Sequence, residues 1–260
     1  MMPDYLSNLF NLEGKSAVIT GGGGFLCGEM ARALSAAGVC VAVLDLREEK
    51  AKAISDEINN NGGKTVFMAF DATRREDHEH ALKFVKDRFN KIDILINGAG
   101  INAPTPFFDI TLEEWKSIID SHITSTFLAC QVFGRHMVDK KCGSIINLSS
   151  ASSGPPLSKA FTYSVAKAGI KNLTQNLARE WAPYNVRVNA LRPGFFPTDW
   201  SKKNFITPER EKAILGHTPM NRYGTPNELS GAVLWLASDA AGFVTGAEIP
   251  VDGGFTCMTI

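Results

Sequence analysis

Apolar residues in this chain gather into short continuous runs at 15–20, 39–45, 64–70, 92–97, 144–149 and 186–191, with a shorter one at 248–251. A strand covered on both faces needs no alternation of polar and apolar positions, so such runs predict buried parallel strands. Between them lie stretches of helical character. One covers 25–37 and is closed by Gly38, and an amphipathic one covers 48–61 and ends at Gly62-Gly63. A charged one follows at about 73–89, and a long one at 112–138 opens on Thr111 with Glu114 three residues on, the spacing of a capping box. Another ends near Trp181, before Pro183, and the last covers 226–238. Residues 1–14 read as a surface lead-in, and 193–222, with Pro193, Pro197, Pro208 and Pro219, as irregular. Strand and helix alternate throughout with no boundary, repeat or low-complexity tract. That predicts a single α/β domain over 1–260, a doubly wound parallel sheet of about seven strands with helices on both faces.

Composition narrows the partners. Hydrophobic residues are 44% of 260, enough for a large core, and Lys+Arg and Asp+Glu are both 27. A zero formal charge argues against nucleic acid or an anionic membrane as main partner. No window reaches the roughly 18 uncharged apolar residues that span a bilayer. The first residues lack the basic-then-apolar pattern of a secretory signal. The five cysteines are scattered without a C-x-x-C pair, and no His/Cys cluster has metal-ligand spacing. The expectation is a cytoplasmic protein with reduced thiols and no metal. His78 and His80, among charged residues, are expected to be solvated.

Two stretches carry chemistry. Gly21-Gly22-Gly23-Gly24 follows the first run directly and opens a helix. Free N–H groups and the dipole at a helix N-terminus suit a pyrophosphate, as in Rossmann-type dinucleotide sites. Asp45 ends the second run, where a carboxylate accepts both ribose hydroxyls of NAD and repels the 2′-phosphate of NADP. No cation stands at Gly24 or Leu46 to hold that phosphate, although Arg47 is a counter-argument. NAD is therefore expected over NADP. The second stretch holds Tyr163 and Lys167, four apart and thus on one helix face, roughly 6 Å apart along the axis. An ammonium beside a phenol favours phenolate and lowers its pKa from about 10. Such a pair also arises by chance on solvated helices, so its surroundings decide its meaning.

Those surroundings resemble the short-chain dehydrogenases/reductases along nearly the whole chain. Thr20-Gly21 opens the turn, Asp71 follows the third run, and Asn97-Gly98-Ala99-Gly100 is similar to the family's N-N-A-G turn. Ser150 stands thirteen residues before Tyr163, Pro193-Gly194 and Thr198 follow the sixth run, and Val251-Asp252-Gly253-Gly254 is similar to the C-terminal signature. The resemblance implies that Tyr163 exchanges a proton with the substrate oxygen, Ser150 hydrogen-bonds that oxygen, and Lys167 lowers the tyrosine pKa and holds the nicotinamide ribose. It implies a cofactor site in which Gly21, Gly23, Gly24, Phe25 and Leu26 meet the pyrophosphate. Asp45, Leu46, Asp71 and Ala72 would meet the adenosine, and Asn97, Ala99, Gly100, Pro193, Gly194, Phe196 and Thr198 would line the rest. Two departures stand out. The last two glycines of the family turn fall on Phe25 and Cys27, so Gly24 and Gly28 are candidates to serve instead. His122 stands where the family has an Asn holding a water in a proton relay to the lysine.

Within the family, 192–198, 217–220 and 249–255 are similar to the sugar-acid branch, of the D-mannonate/fructuronate type. A sugar acid needs a cation near Tyr163. Lys159 and Arg192 are the candidates, with Lys202 or Lys203 in a lid expected at 195–222. The resemblance also implies a homotetramer built on the 112–138 helix and the Tyr163 helix. Two alternatives stay open: an NADPH-dependent 3-oxoacyl-thioester reductase, and a nucleotide-binding protein without turnover.

Overall fold

The computed structural model describes residues 2–259. The seven runs become β1 (Ser16–Thr20), β2 (Cys40–Asp45), β3 (Thr65–Ala69), β4 (Ile94–Asn97), β5 (Gly143–Leu148), β6 (Val186–Pro193) and β7 (Glu248–Val251). They form one seven-stranded sheet in the order β3-β2-β1-β4-β5-β6-β7, parallel throughout. Successive residues of β1 face opposite layers, and both layers are buried. Ala17 and Ile19 join a core with Met30, Leu34 and Val233. Val18 joins the other with Leu44, Leu95 and Phe133. That two-sided burial is why the strand runs are continuously apolar.

The strand order reverses direction between β1 and β4, whose C-terminal residues Thr20 and Asn97 are paired. Loops leaving neighbouring strands there run to opposite faces, which opens a crevice at the carboxyl edge of the sheet. The glycine turn after β1, Gly98–Gly100 after β4 and Ser150 after β5 all meet at that edge.

Several local expectations need correction. The lead-in contains a helix, Met2–Leu9. The segment 193–222 contains helices Asp199–Phe205 and Pro208–Gly216, each opened by a threonine N-cap, Thr198 and Thr207. Pro208 sits in the first turn of its helix, where a missing N–H costs nothing. The long helix reaches Lys140 and is interrupted by π turns at Asp120–Thr124 and Cys130–Gly134. The last helix begins as a 3₁₀ turn, Pro226–Leu229, before Ser230–Ala237. His78 is fully buried rather than solvated, wedged against the Phe70 and Phe133 rings.

Candidate active site

The crevice is a cleft of about 590 Å³ along the carboxyl edge. Its first wall is the glycine turn. Gly21 has φ +67°, and a Cβ there would meet the Ala99 backbone at 2.9 Å, so only glycine lets the turn lie against the β4 loop. Gly24 caps the helix Phe25–Ala36 without a side-chain bond, and no acidic residue follows in the first turn. The orphan N–H groups and positive dipole end are thus left open to an anion. Gly28 faces Ile54, where a Cβ would stand 3.0 Å from Cδ1, so it supplies the close helix packing of a third glycine. Phe25 is half-exposed at the cleft wall, and Cys27 is buried behind it.

Asp45 closes one end. Its Oδ2 accepts the Gly23 N–H at 3.1 Å and its Oδ1 the Arg47 N–H at 3.0 Å, while Arg47 Nε stands 3.6 Å from Oδ1. Beside it the turn at Asp71 and Ala72 is held from below. Asp77 Oδ2 accepts the Asp71 N–H at 2.8 Å, and the His78 Nε2–H donates to the Ala72 carbonyl at 2.9 Å.

The other end holds the catalytic candidates. The helix Phe161–Trp181 places Tyr163 and Lys167 on its cleft face. Lys167 is buried, its Nζ donates to the Leu148 carbonyl at 2.6 Å, and it lies 5.4 Å from the Tyr163 ring centre. Burial pushes the lysine down to about 8. Burial also raises Tyr163 above the usual phenol value, and the neighbouring Ser150 hydroxyl pulls it partly back. The expected lowering of Tyr163 by Lys167 is therefore not the dominant effect in this state. Ser150 opens a 3₁₀ turn, Ala151–Ser153, and its Oγ accepts the Ser152 N–H at 3.2 Å. The hydroxyl of the preceding residue, Ser149, donates to Glu248 Oε1 at 2.6 Å.

His122 sits in the first π turn, edge-on to Tyr163 with ring centres 5.1 Å apart. Its Nε2–H donates to the Ile101 carbonyl at 2.8 Å, and its Nδ1 is buried with no partner. Burial, reinforced by the Lys167 charge, holds its pKa well below the usual imidazole range, so the ring is neutral.

The family model described as enoyl-(acyl carrier protein) reductase matches residues 26–256, nearly the whole chain. The chain belongs to the short-chain dehydrogenase/reductase family. It is an oxidoreductase of that family. It is 41% identical over 266 residues to the uncharacterized oxidoreductase UxuB of Bacillus subtilis, covering 94% of this chain and 96% of that one. A Haemophilus influenzae protein assigned as a D-mannonate oxidoreductase, with bound NAD, superposes with a TM-score of 0.89. It shares 35% identity over 96% of this chain and 97% of its own. A gluconate 5-dehydrogenase from Burkholderia cenocepacia, in complex with NADP and tartrate, gives 0.93 at 30% identity, covering 98% and 100%.

For this short-chain dehydrogenase/reductase the cleft brings together most of the expected side chains. Gly21, Gly24, Phe25, Leu26, Asp45 and Leu46 line it. Asp71, Ala72, Ala99 and Gly100 continue the wall to Tyr163, Lys167, Ser150 and His122. Pro193, Gly194, Phe196 and Thr198 close the far side. Three groups of expectations come out differently. Gly23 is not on the wall, because its N–H serves Asp45. Asn97 lies beneath the floor, donating to Asn147 Oδ1 at 2.8 Å, while Asn147 donates to Thr174 Oγ1 at 2.9 Å. It ties β4, β5 and the tyrosine helix together. Of the two cations expected for a carboxylate, Arg192 is paired with Glu248 at 3.1 Å, and Lys159 lies exposed on a loop at φ +58°; neither lines the cleft. Sequence reasoning passed over Cys27, Phe70, Ser121 and Ser201 as cleft residues. Ser201 had a signal, since it completes the capping box opened by Thr198. Among the described residues no cluster is fit to hold a metal, and no helix is long and apolar enough to cross a membrane.

Proposed function

We propose that this oxidoreductase transfers a hydride between NAD(H) and a secondary alcohol or ketone of a sugar acid or polyol, of the D-mannonate/fructuronate type. The observation that carries the reading is Ser150, Tyr163 and Lys167 facing one cleft that ends at Asp45. The uncapped helix start at Gly24 and the carboxylate at Asp45 fit a dinucleotide. The Asp45 carboxylate supports NAD over NADP, with Arg47, 3.6 Å from it, the counter-argument. When bound, the cofactor supplies a nicotinamide that gives or takes the hydride. The chain supplies the proton path. Tyr163 exchanges a proton with the substrate oxygen, and Ser150 Oγ hydrogen-bonds that oxygen as its charge changes. The buried Lys167 ammonium favours the phenolate, and the Leu148 carbonyl keeps that ammonium in place. The neutral His122 offers Nδ1 as an acceptor for a water reaching toward Lys167. Sugar-acid chemistry draws support from the B. cenocepacia and H. influenzae structures. Exposed Phe107, Phe108, Leu112, Phe127, Phe161 and Val165 on or beside the two implicated helices support the homotetramer.

The test is a panel of hexonates, ketohexonates, polyols and an acetoacetyl thioester, followed by nicotinamide absorbance with each cofactor. Fastest turnover of a sugar acid with NAD(H) is expected; preference for the thioester with NADPH overturns the reading. On the best substrate Tyr163→Phe loses roughly 10²- to 10⁴-fold of kcat, with NADH affinity within a few-fold. Asp45→Ala erodes the preference for NAD over NADP by roughly 10- to 100-fold, the worth of a hydrogen bond to a charged group. An unchanged ratio would put the ribose contact elsewhere.

A further inference from the structure

We propose that Glu248, together with Arg192, is a positioning residue for Ser150. This rests on Ser150 being the group that meets the substrate oxygen. Glu248 begins β7, in register with Ala190 of β6, and its carboxylate reaches the loop that follows β5. One oxygen, Oε1, accepts both the Ser149 hydroxyl and the Ser153 hydroxyl, each at 2.6 Å. The other, Oε2, takes Arg192 Nη1 at 3.1 Å and Lys171 Nζ at 3.3 Å. Arg192 Nη2 in turn reaches the Ala151 carbonyl at 3.5 Å.

The loop is thus gripped at 149, 151 and 153, on both sides of Ser150, by one ion pair on the neighbouring strands. Ser150 itself makes no bond to that pair and lines the cleft. On the loop side its Oγ accepts the Ser152 N–H and the Ser152 hydroxyl, both at 3.2 Å. Where that Oγ stands therefore follows from where the loop is held. Burial alone would raise the Glu248 carboxyl. The serine hydroxyls and the Arg192 and Lys171 charges outweigh it and leave the group below its ordinary value, hence ionised. Bonds to an ionised acceptor are short and stiff. They suit a part that must hold a hydroxyl to a fraction of an ångström, since misplacement by about 1 Å costs about 10²-fold in rate. This also gives Arg192 its job: its guanidinium is spent on the serine loop instead of the substrate carboxylate.

The full-length protein is tested with the best substrate of the panel as Ser150→Ala, Glu248→Gln, Ser153→Ala and the two double variants on Ser150→Ala. Ser153→Ala removes one grip without changing any charge, so it decides the matter if Glu248→Gln fails to fold. Expected are a roughly 10²-fold loss of kcat for Ser150→Ala and a roughly 10- to 100-fold loss for Glu248→Gln. A smaller loss, about 3- to 10-fold, is expected for Ser153→Ala. NADH binding followed by fluorescence should stay within about 3-fold, since the cofactor wall is untouched. The deciding result is non-additivity: on the Ser150→Ala background neither second change lowers kcat further, because each acts through the hydroxyl already lost. Normal kcat in both single variants, or losses that multiply with Ser150→Ala, overturns the proposal. Full activity of Ser150→Ala instead overturns the reading of Ser150 itself.

Discussion

Two places where the chain departs from its family's pattern lie a few residues apart in the cleft wall, and they are resolved in opposite ways. At the cofactor end the family turn has a glycine where this chain has Cys27, and the β4 loop has an Asn where this chain has Gly98. The two changes cancel: a Cβ on Gly98 would overlap Cys27 Sγ, so the thiol fills the space that the loop side chain gave up. The thiol is buried and neutral, its pKa raised to about 12 by burial. A thiol is only a weak hydrogen-bonding group, so burying it asks little of its neighbours. At the catalytic end His122 replaces an Asn, and the ring packs over Gly100, where a Cβ would likewise overlap it. Here the larger side chain rests on a glycine the family pattern already has, and Nδ1 is left buried and unpaired. An exchange of volume is absorbed by packing. An unpaired buried acceptor costs about 1–3 kcal/mol, and it sits one ring away from Tyr163.

The largest effect is expected from breaking the catalytic pair. Gly100→Ala sets a Cβ into the space of the His122 ring, which must shift, and that ring stands 5.1 Å from the Tyr163 ring centre to centre. Loss of kcat by about 10²-fold is expected, with His122→Asn in the same chain restoring part of it because Asn is smaller. His122→Phe keeps an aromatic ring there but removes Nδ1 together with the Nε2–H bond to the Ile101 carbonyl. A fall of about 10-fold in kcat with NADH binding unchanged is expected, the lower part of the range for a proton-transfer group. Wild-type kcat in His122→Phe would make both imidazole nitrogens idle in the reaction.

The cofactor end should respond in stability and cofactor affinity rather than in chemistry. Gly98→Asn overpacks against Cys27 and should destabilise by about 1–3 kcal/mol, read by urea unfolding. Cys27→Gly in the same chain should recover most of it, an interaction energy in the range of about 0.5–3 kcal/mol for contacting residues. Simple additivity of the two changes would mean that the thiol and the loop do not share one space.

What could be read from the linear chain follows the range of the forces involved. The strands were legible because two-sided burial leaves a continuous apolar run, and Asp45, Ser150 and Tyr163 because their spacing is local or tied to a strand end. The partnerships that moved residues off the cleft are non-local. Asn97 meets Asn147, Arg192 meets Glu248, and His78 meets Phe70 and Phe133, none of which any spacing rule connects. The π turn under His122 left no mark either, since it needs no special residue. The helix at Pro208 is different: Thr207 followed by Pro is a legible helix start, and counting prolines as breakers concealed it.

The smallest effect separates the two ends by pH. His78 under the Asp71–Ala72 turn and His122 beside Tyr163 are both held neutral, chiefly by burial, below the usual imidazole value. In the unfolded chain each titrates near 6.5. Above that pH neither state binds a proton and these histidines contribute no slope. As pH falls below about 6.5 the unfolded state takes up protons that the folded state refuses, so stability is lost, at most about 1.4 kcal/mol per pH unit for each histidine. His136 shifts the same way and adds to the slope. Urea unfolding from about pH 5 to 8 should therefore fall on the acid side, and His78→Asn and His122→Asn should each flatten it. Bound NADH should protect against the acid loss in His122→Asn, where the Asp71–Ala72 turn keeps His78. It should protect less in His78→Asn, where the Ala72 carbonyl has lost its donor. Equal protection in both would mean that His78 does not hold the cofactor end of the cleft.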